Sequence, residues 1–92
     1  MIKKGDKIVC ITDTSNIQFF KYMLHEIYFV TKIREKITDK GHYYRIAVED
    51  IEKNAWYFET IRLENSLYFY DYFMTLAEWR DKQINSIFEN EG

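Results

Sequence analysis

Cys10, His25 and His42 are the residues of this chain with the side chains best suited to nucleophilic or metal chemistry. Their spacing decides what they can do. No CxxC, HxxxH or HExxH pattern joins them, so no metal set and no cofactor is expected. Cys10 sits between Val9 and Ile11 in a β-branched run, where a thiol is ordinarily buried and inert. The enzymatic alternative is a small hydrolase in which Cys10 meets a histidine in space. The carboxylate pairs Glu49-Asp50 and Glu59/Glu64 have the groups for acid–base work, but no pattern organises a pocket around either. Glycine occurs only at positions 5, 41 and 92, which leaves no phosphate-cradling loop. The expectation is a protein that binds and does not catalyse.

Binding chemistry is denser. Lys32, Arg34, Lys36, Lys40 and Arg45 cluster on one stretch with Tyr28, Tyr43 and Tyr44 between them. Cations with interleaved rings suit nucleic acid, because phosphates pair with the former and bases stack on the latter. The site expected for that reading is Lys32, Arg34, Lys36, Tyr43 and Arg45. Against it stand a net charge of −2 and a pI near 5.7, where a dedicated nucleic-acid binder is usually basic. The plainer reading is a solvated hairpin whose lysines protect an edge from aggregation. Charge is unevenly divided. Residues 1–46 hold nine Lys or Arg against five Asp or Glu, and residues 47–92 hold four against ten. Glu49, Asp50, Glu52, Glu59 and Glu64 in the acidic half are candidates for an acidic nucleic-acid mimic or for attraction of a basic partner.

A third constellation is aromatic. In "SLYFYDYF", from Ser66 to Phe73, alternation puts Leu67, Phe69, Asp71 and Phe73 on one side and Tyr68, Tyr70, Tyr72 and Met74 on the other. If the first set fills the core, the tyrosines need other company. Tyr and Trp give large contact area with few rotatable bonds, which suits an interface. Tyr68, Tyr70, Tyr72 and Trp79 are therefore the candidate partner-binding residues, for another protein or for a second copy in a homodimer.

The elements that would position these groups follow from period and punctuation. Ile8–Ile11 reads as a strand, and "DTSNIQ" as loop chemistry. "FFKYMLHE" is a turn or two of helix, or an irregular loop pinned by Phe19, Phe20 and Leu24. The run 27–37 is the clearest strand, with Ile27, Phe29, Thr31, Ile33, Glu35 and Ile37 on one face and Tyr28, Val30, Lys32, Arg34 and Lys36 on the other. Gly41 then turns a hairpin into 43–48, and "AWYFETIRLE" is a further strand with room for a tight turn. Residues 67–73 read as a strand. Thr75 and Glu78 form a capping box ahead of a helix carrying Leu76, Trp79, Ile84, Ile87 and Phe88. That helix is the other claimant for Trp79, as a cover for the sheet. A single helix from Leu67 to Phe88 is the rival parse.

At 92 residues the chain is one domain, 1–92, mainly β over 1–74 with a C-terminal helix over 75–89. Its lone cysteine excludes an internal disulfide and fits a reducing compartment. The apolar stretches are too short or too interrupted for a signal peptide or a membrane span, so a cytoplasmic protein without membrane contact is expected. Residues with AT-rich codons (Ile, Lys, Asn, Phe, Tyr) make up 41 of the 92, which points to an AT-rich bacterial or phage genome.

The order "KKGDKIVCI", "IYFVTKI", "HYYRIAVED", "NAWYFETIRLE" resembles small SH3-like barrel proteins of phages and bacteria over roughly residues 3–64. "YFMTLAEWRDKQINSIF" is similar to the helical tail that some of them carry. The long segment 13–26 and "SLYFYDYF" depart from a minimal barrel. The resemblance implies an α+β fold, a small strongly bent antiparallel sheet with a C-terminal helix. It also implies a binding or inhibitory module more than an enzyme. The expectation drawn from the whole reading is a phage-encoded protein that engages or inhibits a host cytoplasmic protein.

Overall fold

The computed structural model describes residues 2–91, with side chains as far as Asn85. Five strands and two helices follow in the order β1 (Lys7–Cys10), β2 (Ile27–Thr38), β3 (Gly41–Glu49), β4 (Ala55–Glu59), α1 (Phe69–Tyr72), β5 (Phe73–Thr75) and α2 (Leu76–Glu91). The strands form one antiparallel sheet in the order β4-β3-β2-β1-β5. The fold is α+β, as expected, and the sheet stays open.

β2 does most to shape the sheet. Its first residues pair with β1, Lys7 opposite Phe29 and Val9 opposite Ile27. From Val30 onward it pairs with β3. Between Val30 and Lys32 the register slips, leaving Thr31 as an extra residue whose hydroxyl donates to the Ala47 carbonyl at 3.0 Å. A bulge of this kind bends the strand and reverses which side chains face inward. Tyr28 and Val30 face the core before it, and Ile33 packs on the core after it. The single apolar face expected along 27–37 is therefore two half-faces on opposite sides. Ile27 and Phe29 point outward and are about half exposed, while Ile37 is open to solvent at the hairpin tip. Gly41 closes that hairpin with φ of +121°, a conformation that costs glycine nothing.

The core is built largely from rings. Phe20, Tyr22, Phe58, Phe69 and Phe73 are buried with Ile8, Val30, Ile46 and Val48, and most ring pairs meet edge to face, the arrangement their quadrupoles favour. Segment 11–26 is irregular, and its inner residues are Phe20 and Tyr22. Phe19 and Leu24, expected to pin it, are exposed. Burial alternates where the segment crosses the core, with Phe20 and Tyr22 inside and Phe19, Lys21 and Met23 outside. Tyr22 is also held by hydrogen bonds: its hydroxyl donates to the Val48 carbonyl at 2.6 Å, and its backbone amide and carbonyl both bond the Thr14 hydroxyl.

Residues 67–75 are neither a continuous strand nor part of one long helix. The Glu59 amide donates to the Leu67 carbonyl at 2.8 Å, where Tyr68 forms an isolated bridge with Glu59 beside β4. One turn of helix, α1, then carries the chain across the open side of the sheet to β1, where β5 pairs. That turn puts Phe69 and Phe73 four residues apart on one side, stacked at 5.5 Å. It also rotates Tyr72 inward against Phe20 and Phe58, where strand alternation would have left it outside. At α2 the Glu78 amide donates to the Thr75 hydroxyl at 3.1 Å, the first half of the expected capping box. The helix touches β1 and β5 through its first turn, where Leu76 and Trp79 are half-buried, while residues 80–85 are exposed. Over residues 76–85 it does not cover the sheet. Ile84 is 49% exposed, and the side chains of Ile87 and Phe88 lie outside the described set.

Candidate functional site

The outward half of the bulged strand meets two other segments to form an apolar surface. Met23 and Leu24 from the long loop, Ile27 and Phe29 from β2, and Ile51 from the β3–β4 turn are each between 44% and 55% exposed. They line two shallow grooves that share Ile51. One, of about 410 Å³, runs between Met23, Leu24 and Ile51. The other, of about 380 Å³, runs between Ile27, Phe29 and Ile51. Single exposed apolar residues are ordinary, whereas a contiguous set of five is the pattern of a recognition surface.

Asp50 holds this surface in shape. Its Oδ1 accepts from the amides of Glu52 and Asn54, at 2.9 and 3.1 Å, and its Oδ2 from the Lys21 amide and Trp56 Nε1, at 3.1 and 2.9 Å. Burial opposes its ionised form, but the Trp56 indole and the three backbone amides together hold its pKa below the ordinary 3.8. The Ile51 amide donates to the Lys21 carbonyl at 3.1 Å, and the Tyr28 hydroxyl accepts from the Met23 amide. Loop, turn and strand are thus tied together beneath the apolar side chains. At the rim, Lys21 pairs with Glu52 at 3.4 Å.

A second surface lies on β2 and β3 beyond the bulge. Lys32 stands opposite Ala47, Arg34 opposite Arg45, and Lys36 opposite Tyr43, and directly opposed residues project to the same face. The five residues expected for nucleic acid therefore share one side of the hairpin. Tyr43 is only 7% exposed and presents no ring for stacking. Tyr57, on β4 directly opposite Ala47 of β3, does so at 51% exposure. Lys4, Lys32, Arg34, Arg45 and Tyr57 line a groove of about 480 Å³. Arg45 is bound through Nε and Nη2 to Glu59 Oε1, both at 3.2 Å. Glu59 Oε2 is buried without a partner.

Of the four aromatic candidates, Tyr68 and Tyr70 stay together and Tyr72 and Trp79 lie apart from them. Tyr68 lies under the Arg62 guanidinium, 4.2 Å from ring centre to Cζ, and beside Tyr70 at 5.7 Å. Tyr70 is 40% exposed. Tyr72 belongs to the core margin, and Trp79 packs on the His25 ring at 4.6 Å. Asp71, predicted to lie with the core residues, is exposed and pairs with Arg62 at 2.9 Å. The acidic set is also split, because Asp50 and Glu59 are buried and engaged internally. Cys10 is fully buried, with its thiol bonded to the Thr12 carbonyl at 3.1 Å, and burial pushes its pKa up. The His25 amide meets the Cys10 carbonyl, but its ring lies on Trp79. Among the described residues no group of His, Cys, Asp and Glu converges as metal ligands, and no helix is long and apolar enough to cross a membrane.

Sequence reasoning missed Met23, Leu24, Ile27, Phe29, Ile51, Lys4 and Tyr57. No local signal marks the bulge at Thr31, and without it Ile27 and Phe29 read as core. For Ile51 the signal was available: it is a lone large apolar residue in the polar connection "DIEKN". No protein-family model matches the chain, and no curated protein or solved structure shows significant similarity to it.

Proposed function

We propose that this chain is a non-enzymatic, cytoplasmic binding protein of SH3-like type, phage-encoded, that engages or inhibits a host protein. The observation that carries the reading is the apolar surface of Met23, Leu24, Ile27, Phe29 and Ile51, held open by the bulge at Thr31 and the Asp50 hydrogen bonds. A rigid, preorganised apolar surface binds without losing loop entropy at the moment of contact. The polar rim around Lys21 and Glu52 would supply register and not affinity. Support for the SH3-like part is the strand order β4-β3-β2-β1-β5, with one long bent strand shared by both halves of the sheet.

The test is affinity capture from a bacterial lysate with wild-type chain and with Phe29→Glu and Ile51→Glu. One dominant protein, retained after nuclease treatment and lost in both variants, is the expected outcome. A partner that survives both variants but is lost with Tyr70→Ala would move the interface to α1 and its neighbours.

A further inference from the structure

The geometry points to a nucleotide site, separate from the apolar surface, in the groove lined by Lys4, Lys32, Arg34, Arg45 and Tyr57. Arg34 and Arg45 stand directly opposite each other on neighbouring strands, and like charges so placed destabilise a sheet. One carboxylate, Glu59, offsets part of this by gripping Arg45 through Oε1. That leaves Arg34, Lys32 and Lys4 along the groove with no ion-pair partner among the described residues. Of the carboxylates of the hairpin itself, Glu35 lies on the opposite face and pairs with His42 at 2.8 Å, Asp39 lies in the turn, and Glu49 lies at the far end of β3, where it lines the groove of Ile27 and Phe29. The cations are therefore segregated, not dispersed.

An anion bridging the two guanidiniums would relieve the repulsion, and planar guanidinium forks match phosphate geometry. Glu59 fixes the Arg45 fork from behind, as a preorganised anion site requires. The volume of about 480 Å³ falls within the range of small-molecule sites. Tyr57 adds an exposed ring at the margin, on which a base can stack. Lys36 continues the cationic row along β2, two residues beyond Arg34. A nucleotide, free or as a unit of a single strand, satisfies both the phosphate and the ring requirements. Bare phosphate uses only the first.

The experiment titrates wild-type chain against a labelled short oligothymidylate by fluorescence anisotropy and against ADP by amide chemical shifts. Arg34→Ala, Tyr57→Ala and Lys82→Ala serve as variants. Arg45 is left intact, because its removal would strand buried Glu59. With about three phosphate contacts, raising salt from about 50 to about 200 mM should weaken the oligonucleotide about 20-fold. Arg34→Ala should lower that salt slope by about one, and Tyr57→Ala should weaken binding about tenfold. Lys82→Ala, on α2, should change nothing. Binding of both ligands, with shifts at residues 32–36, 45 and 57, assigns the site to a nucleotide. Oligonucleotide binding alone assigns it to a strand. The proposal is overturned if neither ligand binds at the lower salt. It is also overturned if Lys82→Ala costs as much as Arg34→Ala, which would mark diffuse attraction, or if Tyr57→Ala has no effect.

Discussion

Replacing Asp50 by asparagine keeps the shape of the side chain and removes half of its accepting capacity. In the wild type each carboxylate oxygen accepts two N–H groups. An asparagine offers one accepting oxygen, so two of the four donors must face an amide NH2. Hydrogen bonds to a charged acceptor contribute about 1.5–3 kcal/mol each, and Asp50 is 4% exposed, so water does not restore them. Losing two therefore costs about 3–6 kcal/mol, out of a total of about 5–15 for a domain. For a chain of this size that is a fall in Tm of about 12 °C or more. The assay is thermal unfolding followed by circular dichroism at pH 7. A pH series sharpens it. The folded pKa of Asp50 lies below the ordinary 3.8, so its contribution is complete above that value and is lost as pH falls through the lower, folded one. Wild-type stability should drop below pH 3.8, and the variant should show a shallower drop. A variant that melts within about 2 °C of wild type, with the same acid profile, would refute the claim that Asp50 braces the loop and turn.

Phe58→Ala should cost about 3–5 kcal/mol, because the ring is fully buried among Phe20, Tyr22 and Phe73. Phe29→Ala, on β2 of the same sheet but outward, should cost less than about 1 kcal/mol. Chemical denaturation of the pair would read equal losses as evidence against the bulge. Tyr22→Phe should lose about 1–2 kcal/mol, since it leaves the buried Val48 carbonyl one donor short; an unchanged denaturation midpoint would contradict that bond. Cys10 should resist iodoacetamide in the folded protein and react on unfolding, because burial raises its pKa and blocks access. Fast stoichiometric labelling of the folded chain would reopen thiol chemistry.

The hairpin of β2 and β3, the turn at Gly41, β1, β4 and the cap at Thr75 were legible because each depends on local pattern. The cation face on Lys32, Arg34, Lys36 and Arg45 was legible for the same reason: strand alternation and hairpin register follow from neighbours in sequence. What local pattern could not supply was the phase change at Thr31, which is set by the need of β2 to serve β1 and β3 at once. One extra residue turned Ile27 and Phe29 from expected core into surface. At 67–75, strand propensity and helical spacing were nearly balanced. Tertiary demand decided, since the chain had to cross from β4 to β1 and one helical turn covers that path while burying Phe69, Tyr72 and Phe73. Asp50 looked like one of five acidic surface groups until its four donors were in place.

The most direct test of a partner-binding role is capture of a host protein by wild-type chain beside Phe29→Glu and Ile51→Glu, both first shown to be folded. One protein bound by the wild type, resistant to nuclease and absent from both variants, is the expected result. Capture that both variants retain, and that nuclease abolishes, would contradict it and leave the cationic groove as the working surface.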